Sequence, residues 1–446
     1  MSVSWITAEG ESRPGPGRGR YAAGMPVRAR RSRPGPSAAL VVVAGLLLGL
    51  ADLVRTSEEH PARAQARPAL EPIRDRDYAI DLYQGTALGS VRIVAMGGAA
   101  VALAEGSASM LVNPAAPAVR LATSNDPWDW DWHFDWLSPG LGSDHDNNGI
   151  VTDNGFTNAP LFTLGLVGQY RQWGLGFTVV TAQRTVTVAG PDGDDRLTPS
   201  VEVVRVSLAR SFARERVVVG VGVRSGGLGL ALEPAGDGTE QELFDLSGAA
   251  LEAGVVWRPA AHDVRLGFTG SLPVTGRDVN TQACDPEDCA GYILPRTVVV
   301  PWELALGAAW RWAPTRWNRR IPAPFRDERA VLLALDVVLT GPVERGHGFE
   351  AFLDKLLQPS GRAISVSVRG GVEYEWLPGR LRLRGGSYWE PGRVDGVGGR
   401  THLTAGLEWR FWQFELWGER RRLRLSATFD GARRYGNAGL SLGFWH

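Results

Sequence analysis

The chain of 446 residues contains 48 basic and 48 acidic residues, so its formal net charge is zero and the charge balance does not favour a nucleic acid as partner. Hydrophobic residues make up 44% of the chain, yet only one continuous apolar run is present, which excludes a protein built from several membrane-spanning helices. The high counts of glycine and tryptophan, 56 and 17, fit a transmembrane β-barrel, whose lipid-facing residues alternate with polar ones and whose interfaces favour tryptophan.

The N-terminal part of the chain is typical of an export signal. Arginines cluster between Met25 and Arg33, an apolar core of suitable length follows at 38–51, and small residues near Ala66 offer a cleavage site. The core is too short for a spanning helix, which disfavours a single membrane anchor. We therefore predict an over-extended start and a signal peptide over 1–66, and a mature protein in the cell outer membrane of a Gram-negative-type bacterium.

Residues 92–115 form a Gly- and Ala-rich stretch that begins with RIVAMGGA and ends with NPA. The stretch has neither the glycine spacing nor the lysine of a phosphate-binding loop. Its small side chains suit a chain threaded through a barrel, and the Asn-Pro pair predicts a local turn. Because few large side chains are available as anchors, we expect this stretch to be weakly held.

This stretch resembles the N-terminal signature of FadL/TodX-type outer-membrane transporters, in which Arg-x-x-x-Met-Gly-Gly-Ala precedes small residues and Asn-Pro-Ala. The resemblance implies a plug domain inside a barrel, formed by an N-terminal periplasmic or plug segment over 67–125. Two interpretations of these residues remain open. The segment either shifts to let a ligand pass or only fills the lumen. The plug or gating residues implied by the resemblance are Arg92, Met96, Gly97, Gly98, Asn113, Pro114 and Ala115.

The remaining residues, 126–446, are predicted to form the barrel. In the sequence WDWDWHFDW at 128–136, aromatic residues alternate strictly with acidic residues and a histidine, and a period of two puts the two sets on opposite faces of a strand. The alternation returns at 302–312, 365–376 and 403–411. A soluble sandwich would bury the aromatic face against a second sheet. Charged residues on one face of so many strands instead favour a water-filled interior and a lipid-facing exterior.

We count about fourteen strands, and an even number is usual for bacterial outer-membrane barrels. Short and long connections alternate, as periplasmic turns and external loops do, although the connection 313–328 is longer than expected. The predicted fold is all-β, a transmembrane antiparallel β-barrel of about 14 strands with an N-terminal plug inside the lumen. The strands are predicted to begin near residues 128, 159, 173, 200, 216, 245, 262, 297, 329, 363, 379, 400, 419 and 436.

Two predicted external loops carry candidate sites. The sequence DHDNNG at 144–149 matches the front half of a calcium-binding loop, although Gly155 stands where the bidentate glutamate belongs, and a polar loop rich in turn residues is the alternative. Cys284 and Cys289, the only two cysteines, are predicted to form a disulfide in an oxidising compartment. The candidate ligands of a structural calcium, the one cofactor that the sequence suggests, are Asp144, Asp146, Asn148 and Asp153.

Two segments in the C-terminal part of the chain carry further signals. Apolar residues at helical spacing over 349–357 predict a short external helix, which would either line a hydrophobic capture groove, as in FadL-type proteins, or only cap its loop. The C-terminal sequence NAGLSLGF at 437–444 resembles the barrel-assembly signature of outer-membrane proteins. That resemblance implies the barrel-assembly machinery and outer-membrane lipid as partners.

The sequence gives little support for catalysis: no nucleophile elbow and no metal pair with a clear spacing is present, so we expect no enzyme. An outer-membrane lipase, whose catalytic residues need not be adjacent in sequence, is the alternative. The resemblance to FadL-type proteins implies a porin-like channel for passive transport of hydrophobic small molecules, with fatty acid transport, of long-chain fatty acids, as the leading case. The alternative is a non-transporting barrel of the PorV-like kind, which acts as a protein-secretion or envelope-assembly partner.

Overall fold

The computed structural model describes residues 70–445 except 140–143, 145, 150–159, 184, 191–192, 235–239 and 279–283. The predicted signal peptide and its cleavage site lie outside the described residues, as does Asp153.

Within the described residues, fourteen antiparallel strands form a closed barrel, as the sequence predicts. Each strand pairs with its neighbour along the chain, and the last pairs with the first, from Ala438 opposite Ser138 to Gly443 opposite His133. The strands are β1 Trp128–Ser138, β2 Leu161–Tyr170, β3 Trp173–Gln183, β4 Gly193–Phe212, β5 Val217–Glu233, β6 Gln241–Trp257, β7 Val264–Ser271, β8 Glu303–Trp312, β9 Val331–Thr340, β10 Ser365–Leu377, β11 Leu381–Glu390, β12 Arg400–Leu416, β13 Glu419–Ala432 and β14 Tyr435–Phe444.

Short helices and strands complete the described elements. Helix α1 is Val91–Ala95 and helix α2 is Phe349–Leu353. The strand Ala79–Asp81 runs parallel to two segments of the long connections, Thr297–Val299 and Gly346–Gly348, and so ties the N-terminal part of the chain to both. The others are the 3-10 helices Ser107–Leu111 and Ala116–Ala118 and the short strands Glu71–Pro72, Val186–Gly190, Val274–Asp278, Thr297–Val300, Gly346–Gly348 and Leu356–Leu357.

Three predicted boundaries differ from the observed ones. The segment 189–199, expected as a loop, instead extends the β3–β4 hairpin, since Val186–Gly190 pairs with the beginning of β4. The expected helix over 349–357 ends at Leu353, because Lys355 adopts a positive φ of 61° that no helix continues. The strand expected from 297 is interrupted before β8 by Pro301, which has no N–H for the ladder.

The outer wall of the barrel is apolar along its middle and aromatic at both ends. In β1, Trp128, Phe134 and Trp136 are exposed, whereas His133 and Asp135 are buried, so the predicted facing is confirmed. Exposed tryptophans form a girdle near the short connections, a smaller aromatic set lies near the long ones, and aliphatic residues fill the band between them. The tryptophans are Trp128, Trp173, Trp257, Trp310, Trp312, Trp376, Trp409, Trp412 and Trp417, and the second set is Trp136, Phe162, Trp389 and Phe429.

A soluble protein does not expose an apolar band that encircles it, because such a surface drives association. Strands of about 10 residues with aromatic girdles at both edges are the geometry of barrels that span an outer membrane. The exterior therefore identifies the protein as an outer-membrane β-barrel. Among the described residues, no helix has the length and hydropathy needed to cross a bilayer.

Candidate functional site

The lumen holds the N-terminal chain from Tyr78 to Val119, here called the luminal segment. Helix α1 contacts β1 and β11–β14, whereas the two 3-10 helices of the segment contact β1–β5. Between them, Val101 lies against Gly267 of β7 and Gly307 of β8. The segment is therefore surrounded by the wall, and its apolar residues are buried; Met96 and Ala99, for example, have no exposed surface.

Glycines on the inner wall allow this close fit. An added Cβ would collide with the Asn113 side chain if it stood at Gly254, and with backbone atoms of the segment if it stood at Gly220 or Gly371. These glycines occupy inward positions of their strands, where the luminal segment leaves no space for a side chain. Sequence reasoning missed their role, although glycine at inward positions of several strands was a visible signal.

Except for Arg92, which lies in α1, the residues implied by the FadL/TodX resemblance lie at the two sharp turns of the segment. Gly97 and Gly98 follow α1 with positive φ of 59° and 77°, which glycine adopts without strain. In the second turn, Asn113 is fully buried, its Oδ1 accepts the N–H of Ala115 at 3.0 Å, and its Nδ2 donates to the carbonyl of Val101 at 2.9 Å. Asn113 thus fixes the local turn and ties it to the preceding stretch.

Hydrogen bonds from the wall hold the middle of the segment. Asp336 of β9 accepts the N–H groups of Ala100 and Val101 at 2.6 and 2.9 Å. Thr404 of β12 accepts the N–H of Gly97 at 3.1 Å. The expectation of a weakly held stretch therefore does not hold, because backbone N–H groups are the anchors and they need no large side chain.

Buried ion pairs hold the segment near the short connections 171–172, 213–216, 378–380 and 417–418, here called the turn end of the barrel. Glu105 of the segment lies 2.8 Å from Arg265 of β7 and accepts a hydrogen bond from the indole of Trp317 at 3.0 Å. Arg92 of α1 lies 3.5 Å from Glu373 of β10. The space left among these side chains measures only about 60 Å³.

A third anchor joins the segment to β1. The hydroxyl of Ser107 lies 2.7 Å from Nδ1 of His133, and Nε2 of His133 lies 3.3 Å from the carboxylate of Asp135. The residue types are those of a serine hydrolase, but all three are at most 1% exposed and none of them lines a cavity described below. This set therefore helps to hold the segment against β1.

The main luminal cavity, of about 160 Å³, lies beside the luminal segment. Part of its lining is aliphatic, with residues contributed by the segment and by the wall. Another part is charged: Arg205 pairs with Glu252 at 3.2 Å, Arg224 lies 3.9 Å from Glu303, and Arg369 is also present. The aliphatic lining comprises Leu88, Ile93, Val101, Leu111, Val112, Val180, Val201, Val203, Val274, Val300 and Val338.

A second cavity of about 150 Å³ continues from the main one toward the long connections, here called the loop end. The two cavities share residues of the segment from Leu82 to Leu88 and share Val201 of the wall. Phe349 and Glu350 of α2 and Asp146 line the outer part. Together the cavities run from the loop end to the middle of the lumen.

The predicted external helix and disulfide belong to one apolar cluster at the loop end. Cys284 and Cys289 are joined in a disulfide, and Cys289 packs with Tyr292 and Phe352. Phe352 and its neighbours on α2 thus cap the loop, whereas Phe349 also lines the second cavity. The helix therefore caps its loop and borders the second cavity, and a hydrophobic capture groove at this place stays a prediction.

The calcium candidates lie close to α2. Asp144 and Asp146 each accept a backbone N–H within their own loop, from Gly149 and Asn148 respectively. Burial, with the nearby carboxylates of Glu350 and Asp144, raises the pKa of Asp146 well above its usual range. Within the described residues, no group of three or more acidic, histidine or cysteine side chains is arranged to hold a metal ion.

The barrel is similar to solved structures of TodX. The TodX deltaS2S3 mutant monoaromatic hydrocarbon channel matches with a TM-score of 0.51 at 14% identity, over 81% of this chain and 100% of that chain. The Pseudomonas putida toluene transporter TodX matches with a TM-score of 0.50 at 13% identity, over 82% and 98% of the two chains. The chain has the TodX fold. A Pseudomonas aeruginosa FadL homologue matches with a TM-score of 0.44 at 13% identity, over 84% and 99%.

The sequence matches no protein-family model and no curated protein. The similarity is therefore one of fold.

Proposed function

We propose that the protein is an outer-membrane channel for passive uptake of hydrophobic small molecules. The supporting observation is the pair of adjoining cavities that leads from the loop end to the luminal segment, with aliphatic residues in the lining for an apolar ligand. A ligand that enters there stops at the segment, because the ion pairs of Glu105 and Arg92 leave only about 60 Å³ directly behind it. Solved structures with the same fold include a toluene transporter, which agrees with this proposal.

The lining favours a ligand that has one apolar part and one negatively charged group. Arg369 lines the main cavity, and among the described residues no acidic side chain lies within ion-pair distance of it. An arginine in this position suits a carboxylate, which it binds with charge-assisted hydrogen bonds. We therefore propose a fatty acid as substrate, with its carboxylate at Arg369 and its chain along Leu88 and Val201, where the two cavities join.

The size of the cavities bears on chain length. The main cavity has about 160 Å³, close to the roughly 150 Å³ of an engineered cavity that binds benzene. A long-chain fatty acid would therefore extend through both cavities, whereas a monoaromatic hydrocarbon would fit in one. Uptake of both kinds of ligand should therefore be compared.

The test is uptake of labelled fatty acid and labelled toluene by a transporter-deficient host that expresses the wild-type protein or Arg369→Gln. Arg362→Gln is the matched control, because Arg362 is an exposed arginine that pairs with Asp395 at the loop end. We expect Arg369→Gln to lower fatty-acid uptake at least tenfold and to leave toluene uptake unchanged, with no effect of the control.

Mass spectrometry of lipids in the detergent-purified protein gives an independent result. Fatty acid bound to the wild-type protein and lost from Arg369→Gln would support the proposal. Absence of bound lipid, with no uptake above empty vector, would contradict transport. Co-purification of other envelope proteins in that case would favour the secretion-partner alternative.

A further inference from the structure

Two segments at the loop end meet in a buried cluster of side-chain oxygen atoms. Asp146 belongs to the connection between β1 and β2, whereas Glu350 and Gln358 belong to the connection between β9 and β10. Glu350 is 3% exposed and Gln358 is 5% exposed. The side chain of Asn148 donates to Glu350 at 3.4 Å across 202 residues of sequence, which brings the two connections into direct contact.

Two of these oxygens have no hydrogen-bond donor. Oδ2 of Asp146 and Oε1 of Gln358 are both buried and unpartnered. Both face the same space beside Gly348, since a carbon built on that glycine would lie 3.7 Å from the first and 3.4 Å from the second. The carboxylate of Glu350 lies within hydrogen-bonding distance of Asp146. The cluster therefore directs oxygen atoms from three side chains toward one place.

An arrangement of this kind is costly without a positive charge. A buried polar atom that lacks a partner costs about 1–3 kcal/mol, and two adjacent carboxylates repel each other unless a proton or a cation lies between them. The amide oxygen of Gln358 cannot be satisfied by a second acceptor, whereas a cation satisfies all three oxygens at once. Hard divalent cations bind carboxylates and amide carbonyls and complete their coordination with water.

We propose that Asp146, Glu350 and Gln358 bind a hard divalent cation that joins the two connections at the entrance of the second cavity. The site is independent of the proposed transport, because it rests on the oxygen cluster alone. Of the calcium ligands predicted from the sequence, the proposed site includes Asp146. Its other two ligands belong to the β9–β10 connection. It contains two carboxylates and an amide, rather than three acidic groups.

The test is isothermal titration calorimetry on the full-length protein, purified in detergent and freed of metal with EDTA. Titration with CaCl₂ or MgCl₂ should show one site, with a Kd on the order of 10⁻⁴–10⁻³ M, as in extracellular calcium modules. Glu350→Gln should raise the Kd at least tenfold. Asp354→Asn is the matched control, since Asp354 is an exposed carboxylate next to the same helix, and it should leave the Kd unchanged.

Gln358→Met is a second variant, which replaces the neutral amide with an apolar side chain of similar length and leaves the charge unchanged. Heat-modifiable mobility on gels reports whether each variant is folded. A weaker Kd in a folded Gln358→Met or Glu350→Gln protein supports the site. The proposal is overturned if the wild-type protein binds neither cation, which would leave a proton shared by the two carboxylates. It is also overturned if the folded variants bind as tightly as the wild-type protein.

Discussion

The loop end and the turn end of the lumen differ in what fills them. At the loop end, two adjoining cavities of about 150 and 160 Å³ follow the luminal segment from Leu82 to Leu88. At the turn end, the ion pairs of Arg92 and Glu105 with the wall leave about 60 Å³. A ligand thus has space on the loop-end side of the segment and buried ion pairs directly on the other side. A further cavity of about 380 Å³ adjoins these ion pairs at the turn end, near Leu121 and Trp445. We therefore propose that the segment, rather than the barrel wall, controls passage of a ligand through the lumen.

Removal of the luminal segment should abolish the difference between the two ends of the lumen. We expect this change to have the largest effect on conductance. Barrels of 16–18 strands enclose an aqueous channel and barrels of about 8 strands are filled by side chains, so fourteen strands without the segment should enclose water. Deletion of residues 82–119 should therefore raise single-channel conductance in planar bilayers several-fold over wild type. If the deletion protein folds and its conductance is unchanged, the segment does not close the lumen.

A charge substitution at the turn end should weaken that end alone. In Glu105→Gln, buried Arg265 loses its carboxylate partner, and a broken buried ion pair costs about 3–5 kcal/mol. The free energy of unfolding in urea should fall by that amount. Glu233→Gln serves as control, because Glu233 and Arg196 form an exposed pair, and such pairs contribute roughly 0–1 kcal/mol. Equal effects of the two substitutions would show that Glu105 does not hold the segment.

A larger residue in place of a wall glycine should displace the segment and should lower stability less than the loss of the Glu105 ion pair does. A side chain at Gly220 would meet the backbone of Pro114, so Gly220→Val should cost about 1–3 kcal/mol of stability, the range of overpacked cores, and should also raise conductance as the segment shifts. Gly168→Val is the control, since a Cβ at Gly168 has open space around it. If the control destabilises the protein as much as Gly220→Val, contact with the segment is not the cause.

A substitution at the loop end should lower the uptake of a ligand while changing the stability of the protein little. Val201 lines both cavities, so Val201→Phe should narrow the space where they join and should cost at most about 1 kcal/mol, because open volume is available. Uptake of labelled fatty acid should fall, whereas conductance of small ions should change less. Normal uptake by this variant would place the route elsewhere.

The sequence predicts the wall far better than the contents of the lumen. Period-two alternation sets the facing of each strand, so the strand count and the outward position of Trp136 follow from local pattern. The contact of Glu105 with Trp317 joins residues 212 positions apart, and no local pattern encodes it. The small residues at 92–115 indicated a chain inside a barrel, but not that Asp336 would accept its backbone N–H groups.

Two features of the loop end show the same limit. The parallel pairing of Ala79–Asp81 with Gly346–Gly348 depends on how distant connections meet, so the sequence gives no sign of it. The calcium pattern at 144–149 identified Asp146, but it paired that residue with local neighbours, whereas the structure places Glu350 and Gln358 around it. Local motifs therefore located the region, and the long-range contacts determine its chemistry.

A disulfide that locks the luminal segment to the wall tests most directly whether the segment controls passage of a ligand. A Cβ at Gly307 lies 2.8 Å from the Cβ of Val101 and also meets the carboxylate of Asp336. A disulfide between Val101→Cys and Gly307→Cys, whose Cβ atoms need about 3.5–4.5 Å, therefore requires that the two Cβ atoms move apart slightly and that this carboxylate turns away. The measurement is uptake of labelled fatty acid by cells that express the double variant, before and after treatment with a membrane-impermeant reductant. If the segment controls passage, uptake is lost while the disulfide is formed and returns after reduction. Undiminished uptake by the fully cross-linked protein would contradict that role of the segment.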